Sequence, residues 1–136
     1  MAGVDVLERR LRKIDEYLAI LAGLSLHPLA EFRNTPEYYG AAERFLHLAI
    51  ECLNDIGNHL IADHQLGVVE SYRDIPAILH RHGHLSREQE DTWIRMIGFR
   101  NILVHDYLDI DHGIVYDALH QMDDIRSLQT ALARFL

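Results

Sequence analysis

Cysteine occurs once in the 136 residues, at Cys52, so no internal disulfide can form and no zinc-type cysteine spacing exists. Long apolar runs are also missing. Mean hydropathy is -0.09 and charges interrupt every stretch, which argues against a membrane span. The first ten residues, MAGVDVLERR, carry charge where a signal peptide needs an apolar core, so no export is expected and the chain reads as cytoplasmic. Positive charge is scarce: 13 Lys plus Arg stand against 21 Asp plus Glu, a formal balance of -8. Broad attraction to a polyanion is thereby disfavoured, and any contact with nucleic acid must be local. Lysine is nearly absent, with Lys13 alone, so the remaining cations are arginines. Their planar forks suit phosphate, although a codon bias gives the same preference. Gly-rich phosphate loops, HExxH, GxSxG and EF-hand loops are absent, which removes several enzyme classes readable from sequence.

What is present is helical periodicity. Hydrophobic residues make up 49% of a chain of single-domain length, so one domain over residues 1–136 is expected. Val4, Leu7, Leu11, Ile14, Leu18 and Leu21 recur at three and four, predicting a helix over Val4–Leu24. Thr35 and Pro36 then read as N-cap and first helical residue of a long helix reaching about His64. Its apolar face is Ala42, Phe45, Ala49, Leu53, Ile56 and Leu60. Residues 65–73 read as a loop, and Asp74 opens a short helix ending near Gly83. Ser86 with Gln89 forms a capping box for a fourth helix through Trp93, Ile94, Ile97 and Val104. A last helix with Asp111 as N-cap carries Val115, Leu119, Met122, Ile125, Leu128, Leu132 and Phe135 on one face. No run alternates with period two and no long repeat occurs. The expected fold is an all-α antiparallel bundle of four to five helices.

Polar residues sort into three groups. Arg44, His47, Glu51, Asp55 and Asn58 form a stripe on the long helix, either a solvated face or a seam facing a partner or cleft. His80, His82 and His84 suggest metal ligands, but histidines at a helix end also complement its carbonyls and dipole, so no metal is expected. The third group, GFRNILVHDYLDID at 98–111, concentrates Arg100, Asn101, His105, Asp106 and Tyr107 at the end of an otherwise apolar helix. Arg100 is a permanent cation able to fork onto phosphate, and His105 can exchange protons near neutral pH. Phosphodiester cleavage needs that combination, one group moving a proton and another holding charge on the phosphoryl oxygens. On an ideal helix, however, Arg100 and His105 stand about 140° apart, whereas Asn101 and His105 share a face. A distorted helix end, the reach of Arg or a cleft shared with a second copy would bring the pair together.

Arg100 followed by Asn101, then His105 and Tyr107, resembles the signature of the HEPN superfamily and of its HepT-type toxins. The likeness extends through Leu7–Leu21, AAERFLHLAIECLNDIGNHLIA at 41–62, SYRDI at 71–75 and MIGFRNILVHDYLDID at 96–111. The resemblance implies a helical homodimer that cleaves RNA in a shared cleft without metal or other cofactor. It also implies a type II/VII-like toxin-antitoxin pair whose antitoxin is an MNT-type nucleotidyltransferase. By matching positions, Arg100 and His105 are the expected catalytic pair and Asn101 the polar residue beside them. Asp55 and Asn58 are expected to support the cleft, and Tyr107 to accept AMP from the antitoxin. The alternative function is a noncatalytic helical partner that binds nucleotide or regulates a nucleotidyltransferase.

Overall fold

The computed structural model describes residues 3–135, in which helices α1 (Gly3–Leu24), α2 (Leu29–Asn34), α3 (Pro36–Asp63), α4 (Asp74–Arg81) and α5 (Arg87–His105) follow in order. A 3₁₀ turn at Tyr107–Asp109 precedes α6 (His112–Ala118) and α7 (Met122–Ala133). The fold is all-α, as expected. Leu7, Ile14, Leu18 and Leu21 are buried against α3, whose Ala42, Ala49, Leu53, Ile56 and Leu60 are buried in turn. Leu11 and Phe45 pack half-buried at the edge of that core, and the side chain of Val4 lies outside the described residues. Each fully buried Leu or Ile contributes about 1.5–3 kcal/mol, so packing of these faces, more than helix propensity, holds the elements.

Side-chain pairs give the directions. Arg10 meets Asp55 while Tyr17 meets Phe45, so α1 and α3 run antiparallel. Asn54 meets Trp93 while Glu51 meets Arg100, so α5 runs antiparallel to α3 as well. At the centre, the fully buried Trp93 donates from Nε1 to Asn54 Oδ1 at 2.8 Å. Gly57, one turn further along α3, allows this approach: a Cβ there would lie 2.5 Å from Ile75 Cγ2 and 2.9 Å from Trp93 Cη2. The missing side chain thus lets α4 and α5 settle onto α3.

The ends of the helices follow local chemistry. Ser86 Oγ accepts from Gln89 N at 3.0 Å and Gln89 Oε1 from Ser86 N at 2.9 Å, the expected reciprocal box. Asp111 caps α6 through Gly113 N at 2.8 Å. Gly83, at φ +82°, closes α4 in the left-handed conformation that glycine adopts without a Cβ clash. Thr35 is the N-cap of α3 and Pro36 its first residue, as expected, but the Thr35 side chain does not cap that helix. Its hydroxyl donates back to Glu31 O at 2.7 Å, closing α2, and only its carbonyl serves α3. Helix α2 itself, anchored by buried Phe32, occupies residues for which the sequence predicts no element. The last expected helix is two, separated at residues 119–121. No helix among the described residues is long and apolar enough to cross a membrane.

Candidate active site

The antiparallel packing of α5 on α3 brings Arg100 against the polar stripe of the long helix. Arg100 Nε donates to Glu51 Oε1 at 2.6 Å, and Arg100 Nη1 donates to Asn101 Oδ1 at 3.2 Å. The guanidinium carbon lies 5.2 Å from the centroid of the Tyr72 ring, within the range of a cation-π contact. Only 16% of the Arg100 side chain is exposed, so the charge is held by a carboxylate, a carboxamide and an aromatic face. Glu51 takes Nε and Asn101 takes Nη1, and Nη2 makes no protein hydrogen bond among the described residues. A guanidinium so fixed retains donors for an anion arriving from solvent.

One turn before Glu51, His47 shares this environment. Burial lowers its pKa from the ordinary 6.5; Glu51 opposes that shift, while Arg100 and Arg44 add to it. The imidazole is therefore neutral at neutral pH. Cys52 sits beside Glu51 in sequence, and burial together with Asp55 raises its thiol pKa, which disfavours the thiolate a nucleophilic cysteine requires. Asp55 accepts from Arg10 Nε at 2.9 Å, tying α3 to α1. Asn58 is exposed and lines a groove together with Asn101, Tyr72 and residues of the 69–73 loop.

His105 is the last residue of α5 and is exposed, as is Asn101 four residues earlier. Within one chain Arg100 therefore turns inward to α3, while Asn101 and His105 occupy exposed positions on their shared face. Helix α5 stops because Asp106 leaves helical geometry, at φ -113° and ψ 30°, and the chain enters the 3₁₀ turn. Tyr107 opens that turn and is 67% exposed; Leu108 beside it is 83% exposed. The other histidine group is occupied structurally. His80 Nδ1 bonds Leu85 O at 2.8 Å, His82 Nε2 bonds Leu66 O at 2.9 Å, and His84 packs on the Phe135 ring with centroids 4.1 Å apart.

A family model described as Ribonuclease HepT-like matches residues 7–135, nearly the whole described chain. The chain belongs to the HepT-like ribonuclease family. Its HepT-like sequence is 32% identical over 118 residues to the putative RNase YutE of Bacillus subtilis, covering 83% of this chain and 78% of that protein. It is 35% identical over 75 residues to the mRNA nuclease HepT of Shewanella oneidensis, a match spanning 54% of this chain and 56% of that protein. Among solved structures, a tri-AMPylated Shewanella oneidensis HEPN toxin in complex with MNT antitoxin superposes with a TM-score of 0.88. That match covers 96% of this chain and 98% of the toxin at 23% identity, a likeness of fold.

Two residues around Arg100, Glu51 and Tyr72, have no individual role that the sequence alone predicts. Glu51 was visible only as one member of the stripe, and its partner lies 49 residues away. Tyr72 belongs to the SYRDI loop, where local sequence contains no signal for a cation-π partner on another helix.

Proposed function

We propose that this chain is a ribonuclease toxin that cuts RNA by attack of the 2'-hydroxyl on the adjacent phosphorus, without a metal ion. The observation carrying this reading is the succession of Arg100, Asn101 and His105 in the last turns of α5, with Tyr107 just beyond it, in a HepT-like chain. The 2'-oxygen forms a bond to phosphorus as the bond to the 5'-oxygen breaks, leaving a 2',3'-cyclic phosphate and a 5'-hydroxyl. The 2'-hydroxyl gives up its proton and the departing 5'-oxygen takes one; His105 serves one of these transfers and water the other, while Arg100 holds the charge that grows on the non-bridging oxygens. A proton carrier and a cation are sufficient for this step. The exposed position of His105 and the inward turn of Arg100 favour a cleft completed by a second copy. Two sets of residues then face each other across a twofold axis, with Asp55 and Asn58 supporting the cleft from α3.

Control follows from Tyr107. Its exposed phenol is accessible to another enzyme, and AMP esterified there sets a phosphate and a base beside the residues an RNA strand must reach. The added negative charge competes for Arg100. The partner in this reading is an MNT-type nucleotidyltransferase antitoxin, the class of partner in the Shewanella complex. Incubation with RNA in the presence of EDTA tests the nuclease directly. Cleavage of the ribo-oligonucleotide, with its 2'-deoxy counterpart left intact, is the expected result. Loss of cutting on chelation, or equal cutting of both strands, overturns the mechanism.

A further inference from the structure

The groove beginning beside Arg100 has the chemistry of a nucleobase pocket. It lies between α3, the 69–73 loop and α5, with a volume of about 550 Å³. Small-molecule sites occupy roughly 300–1,000 Å³. Val69 gives it apolar surface above the buried Ile75 and Ile97, while Asn58 from α3, Asn101 from α5 and the Tyr72 ring line it with polar edges and an aromatic face. A heteroaromatic base needs that combination, because its faces are apolar and polarizable while its edge both donates and accepts hydrogen bonds. A carboxamide is the side chain that does both. Asn58 makes no side-chain hydrogen bond to protein among the described residues, and Asn101 commits only its Oδ1, to Arg100, so its Nδ2 remains able to donate.

The loop wall is set before any ligand arrives. Asp74 Oδ2 accepts from Glu70 N at 2.9 Å and Ser71 N at 3.1 Å, and these two bonds lower the pKa of its carboxyl below the usual value. The carboxylate is thus charged at neutral pH and keeps the loop folded onto the start of α4, which reduces the ordering cost of binding. Tyr72 and Asn101 each touch Arg100 as well as lining the groove. Arg100 therefore adjoins the groove through two of its lining residues, so a nucleotide whose phosphate rests on Arg100 has its base directed toward it.

We propose that this groove receives one unstacked base of single-stranded RNA adjoining the phosphate on Arg100, and thereby selects where the strand is cut. Asn58 and Asn101 read the edge of the base, and Tyr72 covers a face. The proposal rests on the ribonuclease reading above. To test it, an RNA oligonucleotide with a randomised single-stranded segment is digested by the whole protein and the new ends are sequenced. The wild type is expected to enrich one base at a fixed position beside the cut. Asn58→Ala should reduce the discrimination between best and worst base by about tenfold, in the range for losing one edge-reading amide. Tyr72→Phe should retain the preference, and Tyr72→Ala should weaken it. Asn58 and Tyr72 are exposed, so these variants spare the core, and Asn58→Asp gives an isosteric second test with the amide donor removed. A wild type that cuts without base preference, or variants that cut with an unchanged base distribution, overturn the pocket. A wild type that leaves every RNA intact overturns the ribonuclease reading instead, and the pocket with it.

Discussion

Arg100 gains its orientation from residues distant in sequence, and the site's charge is therefore part of the packing of α5 on α3. The Glu51 carboxylate at 2.6 Å fixes Nε and Asn101 takes one bond from Nη1, which leaves Nη2 for phosphate. Lysine lacks that fork, so Arg100→Lys should not restore the cleavage that Arg100→Ala loses. At Tyr107, intact mass spectrometry after incubation with the nucleotidyltransferase and ATP should show AMP on the wild type and none on Tyr107→Phe. An equal mass gain in both proteins contradicts the assignment. His47 gives a pH prediction. Its folded pKa lies below the unfolded value, so the stability it contributes is complete above 6.5 and is lost as pH falls toward the folded value. His84, lowered mainly by burial, acts in the same direction. Melting temperature should therefore decline as pH falls below about 6.5, and His47→Gln should make that decline shallower. Parallel slopes for the two proteins would remove His47 from the account.

Among the elements, Gly57 is the glycine at which α3 meets α4 and α5 most tightly. Gly57→Ala must displace Ile75 or Trp93, and overpacking of this kind costs about 1–3 kcal/mol, read as a lower midpoint in denaturant melts. An unchanged midpoint would mean that α4 and α5 slide without cost. The long helices were legible in sequence because their buried faces repeat at three and four, and the Ser86 box because its two bonds are local. Helix α2 was not, since six residues with only Phe32 buried give no period. The division between α6 and α7 was hidden for the opposite reason. Val115 and Ile125 are buried on either side of it and Leu119 within it, so the apolar face continues where the backbone does not. The site divides in the same way: Arg100, Asn101, His105 and Tyr107 are close in sequence, whereas Glu51 and Tyr72 join Arg100 only through the tertiary fold.

At the scale of the molecule, the inward Arg100 and exposed His105 are expected to work across a pair of chains. Light scattering should report twice the 15.7 kDa chain mass at micromolar concentration. Mixing then tests whether the cleft is shared: co-expressed Arg100→Ala and His105→Ala chains should regain cutting that neither has alone, because one composite site in the mixed dimer keeps both groups. A stable monomer, or mixed dimers without activity, would assign the pair to a single chain. The account's central claim is that Arg100 and His105 together cleave RNA, and end-group analysis of RNA digested in EDTA by the wild type and each alanine variant tests it most directly. The wild type should yield 2',3'-cyclic phosphate and 5'-hydroxyl ends, with both folded variants slower by at least about a hundredfold. Other end groups from the wild type, or undiminished cutting by either variant, would contradict it.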